Sequence, residues 1–195
     1  MGLAAGVRLG LDDAALDLLG RYYDREGLVH AGRQLIWLST VGGAALAVAI
    51  VLALVIRHES RRALFFAVAI GGSILLTEAF KELLQRPGLG DADGYSFPSG
   101  NAAVAAAAIG GVLILVPQSR RRILLALAGL ALALLNGVAL VFLYWHYPSD
   151  VLGGWCLGVA WVALAAVLVE PRRAVQPGIS ASAGPTVVVR ESGRM

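Results

Sequence analysis

Five apolar runs, each broken off by a short polar or charged segment, set the rhythm of the chain: about 34–56, 63–80, 99–116, 123–145 and 151–169. At about 1.5 Å per residue each is long enough, as a helix, to cross a hydrocarbon core about 30 Å thick with little slack. Ala and Gly are frequent among the Leu and Val of these runs, so the helices can approach closely in lipid. Ahead of the runs, Leu9, Leu16, Leu19 and Tyr23 recur near helical spacing, with Asp12, Asp13 and Asp17 elsewhere on the wheel. That pattern predicts an amphipathic helix over 9–28 lying at the membrane surface. The same acids interrupt the stretch before the apolar core of a cleavable signal can form. Residues 174–195 lack the length and periodicity of an element and read as a flexible cytoplasmic tail. The expected fold is all-α: a polytopic membrane bundle of about five transmembrane helices plus an N-terminal amphipathic helix. Its expected divisions are an interfacial segment over 1–33, the bundle over 34–170 and the tail over 171–195.

Composition strengthens this picture. Of 195 residues, 58% are hydrophobic and 15% charged, more apolar than a soluble core of this size needs. The charge distribution then orients the bundle. Arg57, Arg61 and Arg62 fill one connection, Arg120, Arg121 and Arg122 another, and Arg172 and Arg173 follow the last run. Alternate crossings put all three groups on one side, which the excess of cytoplasmic Arg and Lys makes the inner one. The expectation is a multi-pass protein of the cell membrane, with the N-terminus, the 81–98 loop and the 146–150 loop facing outward. Trp37, Tyr95, Tyr144, Trp145 and Tyr147 then form an outer interfacial belt. No zinc pattern, glycine-rich nucleotide loop or basic–aromatic interleaving is present, which argues against nucleic acid, and nothing calls for a metal or a cofactor. The single cysteine, Cys156, has no intrachain partner and reads as a packing residue.

The groups with chemical potential collect on the outward side. They are Lys81 and Arg86 in "KELLQRP", Ser99 and Asn101 in "FPSGN", and His146 and Asp150 in "HYPSD". Each has a plain reading. Lys81 can be an anchor whose stem snorkels, or the partner of Glu78 one turn away. Ser99 can be an ordinary helix cap, and Asp150 an N-cap after Pro148. Each also has a chemical reading. A helix N-terminus opened by Ser99 and Gly100 is a ready anion site, with glycine letting a ligand approach the backbone. A carboxylate four residues from a histidine can fix its tautomer and make the other ring nitrogen a better nucleophile.

Taken together, the ordered pieces Lys…Arg-Pro, Phe-Pro-Ser-Gly and His-Tyr-Pro-Ser-Asp resemble the type 2 phosphatidic acid phosphatase superfamily. Its relatives include undecaprenyl-diphosphate phosphatases and vanadium haloperoxidases. The likeness covers about residues 63–160. It implies an all-helical membrane bundle that hydrolyses a lipid phosphate or polyprenyl diphosphate in the bilayer, with its pocket at the extracytoplasmic face. It implies that Lys81, Ser99 and Gly100 hold phosphate, with Arg86 beside them if its loop folds back. His146 would attack phosphorus and Asp150 would orient it.

The chain departs from the superfamily pattern at three places. Asn101 stands where the pattern has a second histidine. Gly88 and Leu89 stand in its Arg-Pro positions, with Arg86 and Pro87 two positions early. Ala139 and Leu140 replace its Ser-Arg. Asn101 keeps a hydrogen-bonding group and loses the proton, and Leu140 cannot hold an equatorial oxygen. A phosphoryl transition state is stabilised mainly by positioned cations, so these changes favour a substrate whose leaving group needs no proton, such as a diphosphate. The alternative is a catalytically inactive relative that binds a lipid phosphate or a membrane partner. A serine hydrolase triad of Ser99, His146 and Asp150 has no nucleophile-elbow pattern behind it.

Overall fold

The computed structural model describes residues 9–89 and 94–169. The expected tail over 171–195, and Asp91 and Asp93 of the outer loop, lie outside the described residues. Among the described residues seven helices follow one another: α1 (Gly10–Gly20), α2 (Glu26–Trp37), α3 (Gly43–Ile56), α4 (Ser60–Leu84), α5 (Gly100–Leu115), α6 (Arg120–Phe142) and α7 (Pro148–Val169). A π-helical turn over Leu38–Gly42 joins α2 to α3, so Glu26–Ile56 is one continuous rod. Helices this apolar, with large hydrophobic side chains outward, make an all-helical membrane bundle. Four of them, Glu26–Ile56, α4, α6 and α7, have the length and hydropathy to cross a bilayer.

The fifth expected span is the short one. α5 has 16 residues, or about 24 Å of rise. Both of its ends are tied to longer neighbours. Ser99 N–H donates to the Asp150 carbonyl at the start of α7 (2.9 Å), and Leu115 O accepts from the Arg62 guanidinium in the first turn of α4.

Two expectations are corrected at the N-terminal side. The helix over 9–28 is broken: α1 stops at Gly20, a turn follows, and α2 starts at Glu26. The first apolar run therefore belongs to a helix that begins well before residue 34, carrying His30, Arg33 and Gln34 with it. Two further expectations fail on packing. Tyr147 is 5% exposed and lies inside rather than in an interfacial belt, whereas Cys156 is exposed on the outside of α7.

The centre of the bundle is the α5–α7 pair, with α4 against both. It is built on missing side chains. A Cβ added at Gly154 would lie 2.4 Å from Ser99 O, and one at Gly158 would lie 2.2 Å from Ala103 O. Ala102, Ala103, Ala106 and Ala107 face them on α5 and are buried. Close backbone approach through small residues is how helices gain contact in lipid, where apolar burial gives no net drive. Here it also sets the height of Ser99 against Asp150.

Gly158→Ala should therefore force α5 and α7 apart and lower stability by about 1–3 kcal/mol, the usual range for overpacking. Gly71→Ala, where the added methyl meets nothing, should be neutral or slightly stabilising. Thermal midpoints of the two variants in detergent micelles check this.

Candidate active site

Four pieces of chain converge at the end of the bundle where α4 stops and α5 and α7 start. The first comes from α4. Its last turn closes at Leu84, and Gln85 takes a left-handed conformation (φ +50°) that turns the chain out of the helix. The following loop does fold back. Pro87 pairs with Tyr95 in an isolated antiparallel bridge, Ser96 N–H donates to Arg86 O (2.8 Å), and Ser96 Oγ donates to Pro87 O (3.1 Å). This fixes the backbone of Arg86 and sends its side chain inward, where it is 5% exposed.

The guanidinium is shared. Nη1 donates to Asp150 Oδ1 (2.7 Å) and Ser149 Oγ (2.6 Å), and Nη2 donates to Asp12 Oδ2 (2.9 Å). Its plane is supported from one side by the Tyr147 ring, 4.2 Å from Cζ to centroid. Asp12 and Asp150 are both fully buried. Asp12 also accepts from Ser149 N–H (2.9 Å), Ser149 Oγ (2.8 Å) and Leu9 N–H (3.2 Å). Burial works to raise its pKa, but the hydrogen bonds from Ser149, Leu9 and Arg86 together outweigh that, leaving the carboxyl below its ordinary value.

The second oxygen of Asp150 serves the histidine side. Oδ2 accepts from Tyr147 N–H (3.0 Å) and lies 3.5 Å from His146 Nδ1, within ion-pair reach but longer than a hydrogen bond. Ser99 is anchored to the same residue through the Asp150 carbonyl. Its side chain makes no cap, so the first N–H groups of α5 are left without that acceptor. Among the described residues, Ser99 Oγ and His146 Nδ1 are the buried side-chain polar atoms without a hydrogen-bond partner. The orphaned Ser99 hydroxyl beside a helix N-terminus makes a cup suited to an anion, while the orphaned ring nitrogen of His146 faces the Asp150 carboxylate.

Gly100 adjoins this cup, whereas Lys81 and Asn101 hold partners outside it. Gly100 begins α5, and a Cβ there would meet Thr77 Cγ2 at 3.4 Å. Lys81 lies one turn beyond Thr77 on the same face of α4, with its ammonium donating to Glu78 (2.9 Å). Asn101 Oδ1 accepts from Thr40 in the π turn at 3.4 Å. Nearby, the mid-span Asn136 donates to Ser39 Oγ of the same turn (2.6 Å). Leu140, in the position of the pattern's arginine, is fully buried in the apolar core and offers the cup nothing.

Asp12, Ser149 and Tyr147 escaped the sequence reading. Asp12 looked like one of several acids on the polar face of a surface helix. The only local signal is its place three residues after Leu9, and its main partner is 137 residues away.

The family model for the PAP2 superfamily matches residues 62–174, more than half of the chain. The chain belongs to the PAP2 superfamily. The match takes in α4 to α7 and every motif named above from Lys81 onward. The fold agrees: the chain is similar to the structure titled "Crystal structure of the first transmembrane PAP2 type phosphatidylglycerolphosphate phosphatase from Bacillus subtilis". That similarity has a TM-score of 0.72 at 21% identity, over 89% of this chain and 94% of the other. No curated protein matches the sequence significantly. This PAP2 chain thus has a membrane phosphatase fold, with α1 and the α2–α3 rod packed onto the superfamily core.

Because the carboxyl of Asp12 is held below its ordinary value, its contribution to stability is complete above that value and lost as pH falls through the folded-state value. Thermal midpoints should drop as pH is lowered from about 4 towards 2, with a smaller drop in Asp12→Asn. Arg86→Ala should be worse at neutral pH, where the carboxylates are charged. It leaves two buried carboxylates without their cation and should cost about 3–5 kcal/mol, read from denaturation in mixed micelles.

Proposed function

We propose that the protein hydrolyses a lipid diphosphate at the extracytoplasmic face of the cell membrane through a phosphohistidine at His146. The observation that carries this reading is Ser99 Oγ, orphaned at the uncapped N-terminus of α5 and joined through its N–H to Asp150, whose second oxygen faces His146 Nδ1. The terminal phosphate of the substrate sits on the α5 N–H groups, Gly100 and Ser99 Oγ, with Lys81 swinging from Glu78 to meet it. His146 Nδ1–H turns to Asp150 Oδ2, a contact that tightens when substrate fills the site, and Nε2 attacks phosphorus. The P–N bond forms as the bond from phosphorus to the bridging oxygen breaks, and the lipid monophosphate leaves with the electron pair. Water then attacks phosphorus, the P–N bond breaks, and inorganic phosphate and free His146 result.

The choice of diphosphate follows from Asn101. Its amide can donate to an oxygen but has no proton to give, so the leaving group must tolerate departure as an anion. A phosphate does this far better than an alkoxide. General acid assistance is worth about 10²–10⁴ in rate, which is what a monoester would lack here.

A second reading has its own observation. Arg86 is bound by two carboxylates and Leu140 is buried in the core, so neither is a free cation for a transition state. On that basis the chain would bind a lipid phosphate without turning it over. Trapping decides between them. Radiolabelled polyprenyl diphosphate, quenched in alkali, should label the wild type and not His146→Ala; no label on either leaves the binding reading.

On the hydrolysis reading, purified protein in vesicles should cleave polyprenyl diphosphate in preference to phosphatidic acid. Asn101→His should narrow the gap by raising the phosphatidic acid rate, by about tenfold or more given the value of a general acid. A wild type that prefers phosphatidic acid contradicts the diphosphate assignment.

A further inference from the structure

We propose that Asp12, on the N-terminal helix α1, is a positioning residue of this site: it holds Arg86 and the first turn of α7 so that Asp150 keeps one oxygen for His146. The inference rests on the proposed pairing of His146 with Asp150. A carboxylate on a surface helix belongs in water, and burying one is costly unless its lone pairs are filled. Asp12 is 0% exposed. Capping its own helix needs only the bond from Leu9 N–H (3.2 Å). Its other contacts all go to the candidate site.

Each has a mechanical consequence. Pro148 has no N–H, so the first donor that α7 presents is Ser149 N–H, and Asp12 Oδ1 takes it (2.9 Å). Asp12 thereby caps α7 from another helix and ties down the residue between Pro148 and Asp150. Its Oδ2 takes Ser149 Oγ (2.8 Å) and Arg86 Nη2 (2.9 Å). The last contact matters most. A free guanidinium beside a carboxylate prefers to engage both oxygens with two parallel N–H groups. With Nη2 held by Asp12, Arg86 gives Asp150 only Nη1, on Oδ1 (2.7 Å). Oδ2 is left to Tyr147 N–H (3.0 Å) and to the imidazole 3.5 Å away. Asp12 divides the arginine and so keeps the histidine's carboxylate pointed correctly.

The test uses the full chain in lipid vesicles with polyprenyl diphosphate, and reads phosphohistidine formation in a single turnover. Asp12→Asn, which turns an amide N–H₂ toward Arg86, should slow formation by about tenfold or more while changing KM by less than about threefold. Asp12→Glu should recover part of the loss. In an Asp150→Asn background the Asp12→Asn change should cost less than about twofold, because residues that act through one another are not additive. Ser149→Ala, which removes one link and spares the buried charge, should show the same dependence on Asp150 and serves if Asp12→Asn does not fold. An equal cost in both backgrounds, or a rate unchanged or raised, overturns the proposal; a raised rate would mean that Asp12 blocks the arginine.

If wild-type protein forms no phosphohistidine, the hydrolysis reading fails and the positioning claim is read without catalysis. Diethyl pyrocarbonate modification of His146, in a His30→Gln/His58→Gln background, should change rate by about threefold or more on Asp12→Asn when Asp150 is present, and not when it is Asn. No change in either background overturns it.

Discussion

One guanidinium divided between two carboxylates holds together the end of this protein where α4 stops and α7 starts. Arg86 meets Asp12 from the first helix and Asp150 from the last, and lies on the ring of Tyr147. None of the three charged groups is stable in such a place alone. An isolated ion in a low-dielectric interior is so costly that each depends on the other two being present. The consequence is cooperative assembly. The end of α4, the start of α7 and the N-terminal helix are in place together or not at all, and the Asp150 carboxylate inherits a fixed orientation from them.

The apolar interior supplies the other coordinate. Gly154 and Gly158 let α7 approach α5 until backbone nearly touches backbone, and that approach brings Ser99 N–H to the Asp150 carbonyl. Asp150 is thus fixed twice, through its carbonyl by α5 and through its side chain by Arg86. This is why Ser99 of one motif meets Asp150 of another although the two stand 51 positions apart in the chain. The bundle needs no large core side chains there. It needs their absence.

The helices were legible because lipid demands long apolar runs, and five such runs stand in the sequence. Their limits were less so. The rod Glu26–Ile56 begins with a turn and more carrying Glu26, His30 and Arg33, which a hydropathy pattern assigns to the surface, and the π turn at Leu38–Gly42 lies inside the apolar run. Of the site, "FPSG" and "HYPSD" announced themselves because a turn residue before a helix is a local signal. Arg86 was visible but could not be placed, since its position depends on Gln85 ending α4 in a left-handed conformation. Asp12 could not be found at all. Its burial is decided by partners at the far end of the chain, and no spacing rule reaches that far.

The replacements at Asn101 and Leu140 make physical sense together. Where the superfamily pattern has an arginine, Leu140 is sealed into the core with Ala139 and Val141. The arginine that remains is spent on two carboxylates, so that trio carries a net negative charge beside the cup. On the proposed reading, an anion would be drawn in by the N-terminus of α5 and by Lys81, while its approach on the Arg86 side would be resisted. The proposed site would then suit a phosphate that brings its own good leaving group, because Asn101 gives a reluctant alkoxide no proton. The same residues that make the scaffold rigid therefore narrow the chemistry it can support.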